Sequence, residues 1–313
     1  MNKRWIIFHL LGIILILTGC SLNQPSEPEI TDRTIYFRRY VAMGNSITAG
    51  MQNSGMRQDW QQASYPALIA HQAGIEHFEM PLIAEPGIGS SRDVNGNPMT
   101  PLAHKGGLTI AADPLTVNPL TLLLNATLAM PYHNLGVPGA TTRDLLYCTD
   151  ATNSQSVGNS FFSMILRNPN LGNTTVVQQA LLHTPTLVTL WIGNNDILGG
   201  VIRGTIISGT TVTPASVYGG LMDMIFDSLL NRTPAEIFVA NIPSITSIPY
   251  VTTVPPVIIN PATMAPVTDQ TGQPIPWLME ESNVRYVLIS ALSLISAGQG
   301  IPAALGGSGQ PLP

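Results

Sequence analysis

The run Thr186-Leu-Val-Thr-Leu-Trp-Ile192, closed off by Pro185 and Gly193, constrains this chain more than any other stretch. It is continuously apolar and β-rich, without the alternation of a half-exposed strand, so it reads as a strand buried on both faces. Such a strand needs cover above and below, and helices supply it in a parallel sheet. Tyr36 to Met43 is also β-prone and ends at Gly44. Ser64 to Gly74 carries Pro66 in its first turn and Gly74 as a stop, which reads as a helix. Ala140 to Cys148 reads as a helix start after Gly139, and Thr213-Pro214 opens a helix running to about Leu230. Glu236 to Asn241 reads as another short buried strand, and Glu280 to Ala297 fits a further helix. Strands alternating with helices predict an α/β fold with a parallel sheet covered on both sides. Two stretches, about 76–129 and 244–279, interrupt this rhythm with Pro, Gly, Asn and Thr, and loops of that length are either functional lids or disordered.

Composition sets the outer bounds. Charged residues are 10% of the 313, against a usual share of about 25%, while 44% are apolar, enough for a large core. The formal net charge of −5 excludes a basic nucleic-acid footprint. With only Cys20 and Cys148, neither a disulfide framework nor a multi-cysteine zinc site can be built, so packing must hold the fold.

The N-terminus carries its own grammar. Met1-Asn-Lys-Arg4 is a positive segment, Trp5 to Leu17 is almost unbroken apolar sequence, and Leu17-Thr-Gly-Cys20 places small residues before a cysteine. The apolar run is shorter than the roughly 20 residues a spanning helix needs. The pattern resembles a bacterial lipoprotein signal peptide with its lipobox. That resemblance implies removal of residues 1–19, lipidation of Cys20, and anchoring of the mature chain to a membrane of the cell envelope. Ser21, where an aspartate would argue for inner-membrane retention, points to the outer membrane. Residues 20–35 then form the lipidated cysteine and a polar, proline-bearing tether, and residues 36–313 form the folded domain. Cys148 is left without a partner, as an inert core or helix residue.

Chemistry is concentrated in three short blocks. The first strand empties into Val41-Ala-Met-Gly-Asn-Ser-Ile-Thr-Ala-Gly50, which places Ser46 just past the carboxyl end of a strand, where open α/β sheets hold their ligands. A serine nucleophile also needs a base and donors for an oxyanion. His133-Asn-Leu-Gly-Val-Pro-Gly139 offers a glycine whose N–H a substrate can approach closely, and Trp191-Ile-Gly-Asn-Asn-Asp196 offers neutral amide donors directly after a strand.

Together the blocks resemble the SGNH hydrolases, also called the GDSL family of esterases and lipases: Gly44-Asn-Ser-Ile47 the first block, Asn134-Leu-Gly-Val-Pro-Gly139 the second, Gly193-Asn-Asn-Asp196 the third, in the family's order. The resemblance covers about residues 36–250. It implies a three-layer α/β/α, flavodoxin-like fold and a serine ester hydrolase without metal or organic cofactor. Its substrate would be an ester of a lipid, a short-chain acid or an acetylated carbohydrate. Ser46 would be the nucleophile, the Ser46 and Gly139 N–H groups and the Asn195 side chain would form the oxyanion hole, and Asp196 would fix a loop.

Two departures stand out. Asn45 and Ile47 replace the aspartate and leucine of the family's name, and Asn45 still offers an acceptor to pin the turn. The family's Asp-x-x-His is absent from the sequence. Of the histidines, His9 leaves with the leader, His71 and His183 sit in helix-like segments, and His77 and His104 fall in the first irregular stretch. His133 is the one worth testing as a substitute base, against the plainer reading of a strand-end residue with a satisfied ring. Ser308 to Pro313 ends in a loop before the strand and helix that close such a sheet. The expectation is therefore a reading frame that continues beyond residue 313 into the missing Asp-x-x-His, leaving the 313-residue chain alone inactive. A non-catalytic surface-binding lipoprotein that keeps the fold and pocket is the competing reading. A purely structural envelope protein leaves the Gly139 and Asn195 blocks without a reason. Asp93 to Asn97 has Pro98 where a calcium loop needs glycine, and reads as a turn.

Overall fold

The computed structural model describes residues 33–52, 55–85, 87–89, 101–104, 107–110, 119–156, 158–280 and 286–313. The expected leader, Cys20, the expected tether up to residue 32 and the turn expected at Asp93 to Asn97 lie outside the described residues. The central element is a parallel sheet of β1 (Tyr40–Gly44), β2 (Asn134–Gly136), β3 (Leu187–Trp191) and β4 (Glu236–Val239), in the order β2-β1-β3-β4. Over its four strands this matches the flavodoxin-like order, in which the chain reverses its direction of growth between β1 and β3 and leaves a crevice at their carboxyl ends. Seven helices matter for the site: α1 (Ser46–Ala49), α2 (Tyr65–Gln72), α3 (Thr142–Tyr147), α4 (Ser160–Leu166), α5 (Val176–Leu182), α6 (Asn194–Arg203) and α7 (Ala215–Leu230).

Every residue of β1 is buried, and β3 is buried up to the half-buried Trp191. The strand period of two sends alternate side chains to opposite layers. Val41, Met43, Leu135, Val188 and Leu190 join the larger core, together with Leu145 of α3, Phe162 and Ile165 of α4, Val176 of α5 and Ile225 and Leu229 of α7. Tyr40, Ala42 and Leu187 face the other way, against Ala70 of α2, Ile69 and Phe78. There the Tyr40 and Phe78 rings stack 5.1 Å apart. Each of these large side chains contributes about 1.5–3 kcal/mol by leaving water, which fits a fold held by packing.

Four local expectations change. The segment before β1 forms a 3-10 helix, Arg33–Arg39, rather than the start of the strand. Arg39 N–H donates to Thr186 Oγ1, that hydroxyl donates to the Tyr36 carbonyl, and the Thr186 N–H donates to the Arg39 carbonyl, so Thr186 ties this segment to the start of β3. β4 is not a buried strand: it lies at the sheet's edge, with Phe238 66% and Val239 49% exposed. Of the helix expected over Glu280 to Ala297, residues 281–285 lie outside the described residues; beyond them the chain forms a 3-10 turn, Ile289–Ala291, and one helical turn, Leu292–Ser296, while Val287 makes a β-bridge with Val254. Finally, the stretch 244–279 is organised. Val254, Ile258 and Trp277 form a small second core with Val287 and Leu312, and Trp277 Nε1 donates to the Pro255 carbonyl at 2.7 Å. The last residues join it, Leu312 N–H donating to the Leu278 carbonyl.

Candidate active site

β1 delivers the chain into α1 through Asn45, the N-cap, whose Oδ1 accepts the Ile47 N–H at 3.1 Å. An asparagine at the position of the expected aspartate thus pins the turn as a cap, because either side chain offers the oxygen that an orphan helix N–H requires. The helix lies directly on the strands. A Cβ on Gly44 would collide with Thr48 Oγ1 and the Trp191 carbonyl, and one on Gly136 with the Ala49 backbone nitrogen. Glycine at both positions lets α1 press Ser46 against the ends of β1 and β2.

Gly44, Gly136 and Trp191 lie side by side in the strand register, so the turns that follow them share the carboxyl edge of the sheet. Those turns carry Ser46, Gly139 and Asn195. Side-chain hydrogen bonds tie them together. Asn45 Nδ2 donates to Asn194 Oδ1 at 3.0 Å, linking the first turn to the third. Asn195 Nδ2 donates to the Ala140 carbonyl at 2.7 Å, linking the third to the second. Asn134 Nδ2 donates to the Thr48 carbonyl at 2.8 Å, linking the second to the first. Asn134 Oδ1 accepts the Gly136 N–H, and the Val137 N–H reaches the Gly44 carbonyl. Gly139 has φ +80° and Gly193 φ +109°, left-handed conformations that favour glycine.

The donors expected to receive an oxyanion remain available. Among the described residues the Ser46 and Gly139 N–H groups donate to no protein acceptor. Asn195 carries a second amide hydrogen beyond the one given to Ala140. All three donors are neutral, and half-buried Ser46 and Asn195 border on nearly dry neighbours such as Asn45 at 1% exposure.

Asp196 is 5% exposed, and its Oδ2 accepts both the N–H and the hydroxyl of Thr142, at 2.9 and 3.0 Å. Burial raises its pKa, while the Thr142 bonds oppose the rise. It ties the third turn to the start of α3, as a loop-fixing acceptor would. A second buried carboxylate, Asp144, closes the capping box of α3 with Thr141 and accepts the Gln155 N–H. Beneath the site Tyr65 and Thr48 share a 3.1 Å hydroxyl bond, and the Tyr65 ring tilts onto Trp191. The bracing roles of Asn134, Asn194, Thr142 and Tyr65 were not read from the sequence, although Asn134 and Asn194 lie within the second and third blocks.

His133 takes the plainer of its two readings, a strand-end residue with a satisfied ring. It precedes β2, and its carbonyl accepts the Ala42 N–H, which puts it at the amino side of the sheet, away from Ser46. Its Nδ1 accepts the Glu79 N–H at 3.0 Å, and its ring lies 4.4 Å from that of His183. Burial, His183 and His77 lower its pKa to about 4. A ring already packed and bonded at the wrong edge is no base for Ser46. His183 is bound to the Tyr132 carbonyl, and His71 is exposed on the last turn of α2. His9 and the side chain of His104 lie outside the described residues. Cys148 is fully buried, with burial and the nearby Asp144 charge pushing its thiol up to about 12, which keeps it protonated and inert.

No curated protein and no solved structure matches the chain. A family model, GDSL-like Lipase/Acylhydrolase, matches residues 40–288, from the first residue of β1 into the small second core. With the parallel sheet and the three turns gathered at its carboxyl edge, this places the chain in the GDSL-like lipase/acylhydrolase family, hydrolases of the esterase and lipase kind.

Proposed function

We propose that the chain is a membrane-anchored carboxylic-ester hydrolase in which Ser46 is the nucleophile. The observation that carries this reading is the convergence of the Ser46 turn with two unspent backbone N–H groups and the Asn195 amide at one sheet edge. Ser46 Oγ attacks the ester carbonyl. The Ser46 and Gly139 N–H groups and Asn195 Nδ2 hold the tetrahedral oxyanion in preorganised form, a contribution of about 3–4 kcal/mol per donor in related chemistry. Collapse expels the alcohol and leaves an acyl-serine, which water then hydrolyses to the acid. The substrate is an ester of a lipid, a short-chain acid or an acetylated sugar, and the acyl pocket would draw its walls from the two long insertions.

The proton shuttle belongs to a histidine oriented by an aspartate in an Asp-x-x-His beyond residue 313. What supports this is the placement of His133 and His183 at the opposite edge and of His71 at the end of α2. The lipobox supports processing at Cys20 and an address at the outer membrane. The same histidine placement favours the alternative of a non-catalytic binding lipoprotein.

The test is hydrolysis of p-nitrophenyl acyl esters by the protein carrying its natural downstream reading frame, beside the 313-residue chain and Ser46→Ala. Activity in the longer protein alone, abolished by Ser46→Ala, is the expected result. Equal rates with and without Ser46 sink the serine mechanism, and a stop codon directly after Pro313 transfers the case to the binding reading.

A further inference from the structure

The loop that leaves α6 presents isoleucines to solvent: Ile206 is 66% exposed and its neighbour Ile207 50%, with Ile202 at 50% on the last turn of the helix. Single exposed apolar residues are ordinary, but here the whole segment is unusual. From Gly204 to Met222 the sequence contains no charged residue. Its backbone polarity is also turned inward. Thr211 Oγ1 donates to the Thr205 carbonyl and accepts the Ile207 N–H, both at 2.7 Å, while the Ile207 carbonyl accepts the Thr210 and Thr211 N–H groups. Gly209 N–H reaches the Val212 carbonyl, and Thr205 N–H returns to Gly200. A tip that satisfies much of its own backbone while showing aliphatic side chains meets the requirement for entering an apolar medium, where an unpaired N–H or C=O costs several kcal/mol.

We infer that the Ile206-Ile207 tip docks into a lipid surface. The chain outside the described residues says what covers it. The stretch from Cys20 to Arg33 spans up to about 45 Å when extended, and it ends in the cysteine read above as acylated, so the domain stays within reach of one membrane. This inference rests on that reading of Cys20. No described helix is long and apolar enough to cross a bilayer, so the contact is interfacial, with side chains entering the headgroup and acyl boundary. With Lys3 and Arg4 gone alongside residues 1–19 the formal net charge goes from −5 to −7, and Arg203 is the one charge bordering an otherwise uncharged loop, so the attraction is mainly apolar. The loop grows from the helix that begins with Asn194 and Asn195, and Thr213 N–H comes back to the Asp196 carbonyl at 2.7 Å. The tip is thereby tied, through a helix about 15 Å long, to the turn that carries the proposed oxyanion-hole asparagine.

The experiment replaces Ile206 by tryptophan in the full chain and mixes the protein with vesicles of phosphatidylcholine brominated on its acyl chains. Parent protein, with its own tryptophans, supplies the background. Expected is about twofold quenching of the added fluorescence, given an insertion depth of about 5–10 Å, and no change in about 1 M salt, where charge attraction is screened. Ile207→Trp gives the same signal, and unchanged thermal melting shows that both variants fold. Unquenched emission from both variants overturns the inference, as does a spectral shift that tracks protein concentration without vesicles, which assigns the tip to a second copy. Quenching without ester hydrolysis keeps the docking and removes the catalytic proposal. Hydrolysis without quenching does the reverse.

Discussion

The two ends of the same strands are built to opposite rules. At the carboxyl edge, the Ser46, Gly139 and Asn195 turns are braced by Asn45, Asn134, Asn194 and Asp196, and the bracing leaves donors unspent in the middle. At the amino edge most polar groups are bonded to backbone, with the buried Arg167 Nε an exception. Arg167, 1% exposed, donates to the Ala126, Leu128 and Met130 carbonyls and lies 4.0 Å from the centre of the Tyr132 ring. The His133 ring lies tilted between those of Phe78 and His183, and both histidines bond to backbone groups. Buried polar groups usually find partners, so the amino edge is the ordinary case. Donors left over within a rigid frame mark the edge where a ligand completes the bonding.

The sharpest way to break this comparison is Ser46→Ala in the catalytically complete protein, expected to lower kcat by about 10^4-fold or more in an ester-hydrolysis assay. A residual rate near that of the parent would strip the carboxyl edge of its special status. Next comes Asn195→Ala, expected to cost about 10^2–10^3-fold in kcat with little change in KM, since a hole donor acts mainly in the transition state. A rise in KM alone would make Asn195 a ground-state binder.

At the amino edge the effects fall on stability instead. Arg167→Met leaves three carbonyls without their donor, and a loss of about 3 kcal/mol is expected in urea unfolding, with esterase kinetics unaltered in the surviving folded fraction. The smallest effect concerns pH. His133 titrates at about 4 in the fold, below its ordinary value of 6.5, because burial and the neighbouring histidines disfavour its charged form. The unfolded chain therefore binds the proton first as pH falls. Stability tied to neutral His133 is fully present above 6.5 and is lost progressively towards 4, by on the order of 1–2 kcal/mol after allowing for solvent screening. His183 shifts in the same direction and adds to the slope. Thermal melts between pH 7 and 4 read this, and His133→Phe flattens the acid side of the curve if the assignment holds.

How much of this was legible in the sequence depends on whether the cause is local. β3 could be read from its unbroken apolar run, and α7 from the proline before it and its length, because burial on both faces and helix entry leave residue-level marks. The three blocks were legible as motifs, since their glycines and asparagines serve backbone geometry. The exposure of β4 was not: whether Phe238 meets a helix or water is decided by which elements cover the sheet's last strand, and no property of Glu236 to Val239 encodes it. The break in helical period at Val287 has the same origin, a β-bridge to distant Val254 overriding local preference. For His133 the sequence left two readings open, because it records only that the residue borders a motif; which end of the sheet it occupies follows from the direction in which the strand runs.

The braces between the three turns also set how the site opens. The Ile47 N–H is held by Asn45, whose amide grips Asn194. The Gly136 N–H is held by Asn134, whose amide grips Thr48, and the Thr142 N–H is held by Asp196. None of these three amides can exchange its hydrogen with solvent while the turns stay locked together. Their exchange rates should therefore fall into one group, slower than those of surface turns and set by a single concerted opening of all three. Time-resolved deuterium uptake would then report the lifetime of the assembled site in protein that has never met a substrate.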